Sequence, residues 1–269
     1  MKIINNIFDL NKAIKNFKGF GFVPTMGGIH EGHISLIKKS TISCKKTIVS
    51  LFVNPKQFND KKDFKKYPRN LNKDIKILKK LKVNYLFIPS INDVYRDKNK
   101  IFKLKAGEKI LCAKFRKGHF EGVLNVMNRL LSLIKAKKVF MGEKDFQQLF
   151  LIKKYLSKKH NIKIISCKTI RDKNNIALST RNNLLTKNEY KKVVAITNLL
   201  INFRKKNINK KNFLNKINEI INKVENIYKV KIDYLEFRNE RNLKINSFKK
   251  KYRLFVAYSI NKIRLIDNF

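Results

Sequence analysis

His30 and His33 lie three residues apart with Gly32 between them, directly after Pro24-Thr-Met26-Gly27-Gly28-Ile29. At that spacing both imidazoles sit on one face of a helical first turn and can point at the same object. Phe20 to Val23 is short and apolar and reads as a buried strand. Gly27 and Gly28 break the chain, and Ile34, Leu36 and Ile37 begin a helical pattern. A strand, a glycine turn and a helix start form the junction at which open α/β sheets receive phosphates. Two imidazole donors, a row of unpaired backbone amides and a Gly32 that admits close approach suit the phosphates of a nucleotide. Metal ligation needs a third ligand, and the neighbouring Glu31 points to a different side of the turn.

A second polar group is Asn54-Pro-Lys-Gln57-Phe58, placed at the end of the apolar run Thr47 to Val53. Its amides both donate and accept, which suits a ligand carrying hydroxyl and carboxylate groups, although such a run by itself is a capped loop. Gly142-Glu143-Lys144-Asp145-Phe-Gln-Gln148 follows the brief strand Val139 to Met141. There a lysine at a helix start can reach phosphate oxygens, with Gln148 one turn on. Leu178-Ser179-Thr180-Arg181-Asn182 supplies hydroxyls and an arginine in a loop. Arg116 reads either as an anion clamp or as a surface arginine, and His119 reads as structural.

The elements that must position these groups alternate. Asp9 is expected to cap a helix through Phe17, and the histidine helix to run to about Ser43. A helix is expected over Leu71 to Leu81, a strand over Tyr85 to Ile88, and a short strand near Ile101 to Leu104. A helix over Phe120 to Ile134 and another after Asp145 follow, then a strand over Ile162 to Ile170. This alternation predicts a doubly wound parallel sheet. Beyond Arg171 the pattern changes. Thr186-Lys-Asn-Glu189 is a capping box opening one helix, a second runs from about Lys210 to Asn226, and strands are expected near 231–236, 253–260 and 263–266. The fold class is therefore α/β with a second, smaller α+β C-terminal domain, and the division is set at 1–175 and 176–269.

Composition limits the partners. The chain has 269 residues, 43% of them hydrophobic, enough for a good core. Its net charge of +44 is spread from Lys2 to Arg264 alongside abundant Ile, Asn and Phe, so compositional drift is favoured over a specific nucleic-acid role. Cys44, Cys112 and Cys167 are odd in number and far apart, which points to reduced thiols in cytoplasm. No apolar run reaches the ~20 residues of a membrane span, and no membrane partner is expected.

Taken together, the motifs resemble the pantothenate synthetase family (pantoate–β-alanine ligases), and more loosely the His-x-Gly-His nucleotidylyltransferases, whose domain is Rossmann-like. The first run resembles Pro-Thr-Met-Gly-Ala-Leu-His-x-Gly-His, with Gly28 for alanine and Ile29 for leucine. Asn54 to Phe58, Tyr67-Pro-Arg69, and Arg116 to Val123 (with Lys117 for proline) match further motifs. Asn175 to Asn182 is similar to the family's Gly-Leu-Ala-Leu-Ser-Ser-Arg-Asn, with Asn175 for glycine, Ile176 for leucine and Thr180 for the second serine. The resemblance implies condensation of pantoate with β-alanine through a pantoyl adenylate, with ATP and Mg²⁺, in a homodimer. It implies His33, His30 and Lys144 as catalytic residues. The ATP site would comprise Met26, Gly27, Gly28, Ile29, His30, Glu31, Gly32, His33, Gly142, Glu143, Lys144, Asp145, Ile170, Leu178, Ser179, Thr180 and Arg181. Gln57, Gln148 and Asn54 would take pantoate and β-alanine, with no protein metal site and the C-terminal domain as lid.

Overall fold

The structure, a computed structural model, describes residues 1–95, 102–207, 213–245 and 251–269. The chain divides into two compact units, Met1–Thr169 and Ile170–Phe269.

The first unit is built on a parallel sheet. Its elements in chain order are β1 (Lys2–Ile4), α1 (Ile7–Ile14), β2 (Gly21–Thr25), α2 (Glu31–Ser43), β3 (Thr47–Leu51), α3 (Lys61–Lys66), α4 (Leu71–Lys80), β4 (Tyr85–Phe87), α5 (Ile91–Tyr95), α6 (Cys112–Phe115), α7 (His119–Ile134), β5 (Lys138–Gly142), α8 (Phe146–Leu156) and β6 (Lys163–Cys167). The strands stand in the order β1-β4-β3-β2-β5-β6, every pair parallel. Chain order runs outward from β2 through β3 to β4 on one side and through β5 to β6 on the other. Right-handed crossovers made in opposite directions place their helices on opposite faces. Accordingly α2 and α4 share one core with the strands, in which Leu36, Ile37 and Leu78 pack on Val23, Val49, Leu86 and Phe140. Alternate residues Phe22, Ile48 and Phe87 are buried as well, as a sheet covered on both faces requires.

The direction reverses between β2 and β5, and ligands of open α/β sheets bind at such a switch, beyond the strand C-termini. The loops after β2 and β5 are those carrying the histidines and Lys144.

Several sequence expectations need correction. Asn6, not Asp9, caps α1: its side chain accepts from the Asp9 amide at 2.8 Å, and the helix stops at Ile14. Pro24 lies inside β2 instead of ending it. Gly21 donates to Lys46 on the β3 side, so by alternation the donor missing at Pro24 faces β5, whose pairing with β2 ends at Phe22. No strand covers Phe102–Leu104, and Ile101 lies outside the described residues. β1 went unread because three residues followed by Asn5-Asn6 carry no period.

The second unit contains α9 (Lys187–Asn207), α10 (Phe213–Tyr228), β7 (Lys231–Asn239), β8 (Tyr252–Ile260) and β9 (Ile263–Asn268). The expected start of the second helix at Lys210 lies outside the described residues. The three strands form an antiparallel sheet in the order β7-β8-β9. Val193, Ile196, Leu200 and Phe203, at helical spacing on α9, pack on Leu254, Val256, Tyr258 and Ile260, at strand spacing on β8. The capping box is formed: the Thr186 amide donates to Glu189 at 2.8 Å, and the Glu189 amide to Thr186 Oγ1 at 3.3 Å.

Candidate active site

His30 is the N-cap of α2 and His33 its third residue, and the rings lie against each other with centroids 4.1 Å apart, tilted by 44°. The Gly32 amide donates to His30 Nδ1 at 3.1 Å, and the His30 amide to His33 Nδ1 at 3.4 Å. A nitrogen that accepts carries no proton, so each neutral ring holds its hydrogen on Nε2. Burial, followed by Lys144 and partly opposed by Asp145, lowers the His30 pKa. Burial, then His30 and Lys144, lowers that of His33 to about 3. Both rings are thus uncharged near neutrality and present N–H donors beside a lysine. Lys144, in the 3₁₀ turn Glu143–Asp145 after β5, is half-buried and lies 3.6 Å from Asp145.

The glycine turn departs from expectation. Its amides are not an unpaired row: Gly28 donates to Asp74 Oδ2 at 2.9 Å, Ile29 to Asp74 Oδ1 at 2.8 Å, and Gly27 to Thr25 Oγ1 at 3.3 Å. A Cβ at Gly32 would lie 2.7 Å from His30 Cε1, so its bare backbone accommodates the histidine's own ring. Asp74, a buried carboxylate on α4, was missed because its position in a helical run looks like an ordinary first-turn acid.

The Gln57 loop is held from several directions. Asn54 Oδ1 accepts from Tyr95 Oη at 2.6 Å and from the Lys56 amide at 3.2 Å; its Nδ2 donates to the Gly122 carbonyl at 3.1 Å and to Gln57 Oε1 at 3.2 Å. Every polar position of the buried Asn54 side chain is thus used within the protein. The Gln57 carbonyl accepts from His119 Nδ1 at 2.7 Å and Arg116 Nη2 at 3.2 Å, while Arg116 Nη1 meets His119 Nε2 at 3.0 Å. Arg116 thus holds backbone here, and His119 is structural as its sequence context suggested. What remains outward on Gln57 is its NH₂, which lies against the thioether of Met26, a weak acceptor that a ligand oxygen outcompetes. Of the two adjacent glutamines on α8, Gln147 is buried and donates to the Ile110 carbonyl at 2.7 Å, while Gln148 is half-buried on the first turn. Glu143 accepts from Ser166 Oγ at 2.6 Å. Met26, Gly27, Gly28, Ile29, His30, Gly32 and His33 form one continuous turn, Glu31 being exposed at its rim.

In the second unit Ile170, Leu178, Ser179, Thr180 and Arg181 belong to one tight segment. The Leu178 amide donates to the Ile170 carbonyl at 3.0 Å. Asn175 takes φ +67°, a left-handed conformation that asparagine tolerates. Arg171 grips both oxygens of Asp267 at 2.7 and 2.8 Å. Ser179 Oγ caps a 3₁₀ turn by accepting from the Arg181 amide at 3.3 Å, Thr180 is buried, and Arg181 Nη1 donates to the Arg264 carbonyl at 3.0 Å.

Comparison with known proteins agrees with this chemistry. A family model described as pantoate-beta-alanine ligase matches residues 2–269. The pantothenate synthetase of Endomicrobium trichonymphae is 45% identical over 207 residues, 74% of this chain and 73% of that one. The crystal structure of a pantoate-beta-alanine ligase from Francisella tularensis, complexed with beta-gamma ATP and beta-alanine, superposes with a TM-score of 0.85 at 39% identity, covering 100% and 97% of the two chains. Pantothenate synthetase from Thermus thermophilus gives 0.88 at 28% identity over 100% and 99%. On the match over residues 2–269 and the 45% identity to a curated relative, this chain belongs to the pantoate–β-alanine ligase family.

Proposed function

We propose that the ligase works through ATP in two half-reactions, with each residue group assigned as follows. In the first, a pantoate carboxylate oxygen bonds to the α-phosphorus of ATP, the bond to the bridging oxygen breaks, and pyrophosphate leaves with the electron pair. Charge grows on the phosphoryl oxygens, and donors pre-aimed at it stabilise the transition state. The carrying observation is that His30 and His33 are neutral, each with its hydrogen on Nε2, beside Lys144. In the second half-reaction the β-alanine amine bonds to the acyl carbon, AMP leaves with the electron pair, and the amine releases a proton. Gln57 and Gln148 hold pantoate, with Gln57 donating to an oxygen. Ser179, Thr180 and Arg181 are assigned to phosphate binding, as the family resemblance implies, and the mixed anhydride has to be kept from water. The Francisella relative's complex with beta-gamma ATP and beta-alanine supports this choice of nucleotide and amine.

Among the described residues no three His, Cys, Asp or Glu side chains cluster to hold a metal ion, and the phosphate-facing groups are donors. The chain does not fit as a Mg²⁺ cage. Mg²⁺ would be carried by the nucleotide's own phosphate oxygens, where it would supply charge neutralisation. We place the enzyme in the cytoplasm as a homodimer, the state implied by the family resemblance, which light scattering checks. Among the described residues no helix is long and apolar enough to cross a membrane.

The test is pantoate-dependent exchange of pyrophosphate into ATP, followed by AMP release. Exchange without β-alanine, and AMP release only with both acids, is expected. AMP release that needs β-alanine but shows no pantoate-dependent exchange would overturn the adenylate route.

A further inference from the structure

We propose that Asp74 is a positioning residue for the adenylation step, acting through the turn that carries His30 and His33. Forty-six residues separate it from Gly28, yet its two oxygens receive the amides of Gly28 and Ile29 at 2.9 and 2.8 Å. The carboxylate is buried at 2% exposure, and among the described residues no Lys, Arg or His forms an ion pair with it. Burying a carboxylate without a cation is costly unless hydrogen bonds replace its water. Here the replacements are two backbone donors of a single turn. Gly27 closes the packing: its φ is +86°, and a Cβ there would come 3.1 Å from Asp74 Oδ2.

The arrangement has two consequences for the chemistry. It withdraws the turn's amides from any phosphate, leaving that task to the imidazoles and Lys144. It also fixes the backbone one residue before His30, whose amide sets the tautomer of His33 at 3.4 Å. Asp74 itself is anchored on α4, with its amide donating to the Asn70 carbonyl at 3.0 Å. A rotation of the turn would carry the His30 amide away from His33 Nδ1 and release both the ring angle and the site of its proton. Asp74 therefore holds two donors in aim without touching substrate.

The inference rests on His30 and His33 serving as phosphate donors, and the experiment separates the two claims. Asp74→Asn keeps the shape but sets an NH₂ against a backbone N–H. Its turnover in pantoate-dependent pyrophosphate exchange should fall by about 10²-fold, the cost of a misplaced reacting group, with the pantoate KM little changed. Nitrogen-15 NMR of the imidazoles should show His33 losing its uniform Nε2–H tautomer, a change that loss of stability alone does not produce. In a His33→Ala background the Asn substitution should cost less than it does in the wild type, only the share carried by His30 remaining. If Asp74→Asn does not fold, Asp74→Glu, which keeps both oxygens but displaces them, should show the same turnover and tautomer changes in smaller measure. A slow His33→Ala with wild-type turnover and tautomer in the Asp74 variant would overturn the positioning role. Full multiplication of the two losses would do the same. Wild-type exchange in His33→Ala would instead remove the histidine reading beneath it.

Discussion

The protonation state of the two histidines decides how the site treats a phosphate. A charged imidazolium would bind ground-state ATP strongly through Coulomb attraction, whereas a neutral Nε2–H donates where charge develops without carrying a proton that titrates at working pH. Because folding lowers the His33 pKa from 6.5 to about 3, the unfolded chain binds the proton first as pH falls. The ring's contribution to stability is therefore complete above pH 6.5 and is lost progressively from there toward pH 3. NMR titration should show no His33 transition between pH 5 and 8, and a midpoint near 6.5 would contradict the neutral-donor assignment. The proposed roles divide Lys144 and Gln148 by chemistry, a charge for phosphate and an amide for a hydroxy-acid. Gln148→Ala should weaken pantoate binding by ~1.5–3 kcal/mol, or about 10–150-fold, with ATP affinity nearly unchanged. Lys144→Ala should do the reverse. Calorimetric titration of each ligand reads both variants, and a Gln148→Ala that lost ATP while keeping pantoate would relocate the acceptor pocket.

Elements place these residues by close approach more than by length. The N-terminal turn of α7 lies on the Asn54–Gln57 loop only because position 122 has no side chain: a Cβ there would stand 2.3 Å from the Lys56 carbonyl oxygen and 3.1 Å from the Gln57 nitrogen. Both obstacles are backbone, so neither can swing aside. Gly122→Ala should therefore cost about 1–3 kcal/mol of stability, as overpacking does, and raise the pantoate KM more than the ATP KM. Unchanged melting and unchanged KM would mean that the loop yields freely. That contact marks where sequence reading stops. The strands β2 to β6 and the helices α2, α4, α7 and α8 were legible because their apolar residues repeat at strand or helix period, and the motif residues because the family's motifs recur in order. Asp74 and Tyr95 were not, since an acid in a first turn and a tyrosine ending a short helix carry no pattern. Their roles come from partners 45 to 46 and 41 residues away. The occupied turn amides were invisible for the same reason: a glycine turn before a helix looks open until the acid that closes it is found.

At the scale of the whole chain the excess charge has to be weighed against the site. Lys and Arg number 63 against 19 Asp and Glu, giving +44. Among the described residues several of the scarce acids are paired: Asp267 with Arg171, Asp233 with Arg264, Glu240 with Arg253, Glu236 with Arg238 and Glu108 with Lys154. Four of those pairs fix arginines in place, three of them in the strands of the second unit's sheet (Arg238 in β7, Arg253 in β8 and Arg264 in β9), while the lysines are spread along the whole chain. Dispersed charge attracts any polyanion weakly and reads no sequence, because base readout needs side chains fixed at a groove, whereas a counterion atmosphere responds to charge alone. DNA or RNA should therefore bind at ~10⁻⁴–10⁻⁶ M near physiological salt, without preference among sequences, and with log affinity falling linearly in log salt. ATP should behave otherwise, since its phosphates meet a shaped set of donors and its affinity should fall far less steeply with salt. Titrating a mixed-sequence duplex, a single-stranded RNA and ATP across a salt series compares the three directly. Nanomolar binding of one nucleic acid at physiological salt, with discrimination against the others, would mean that the charge is organised for a partner and is not the residue of a compositional bias.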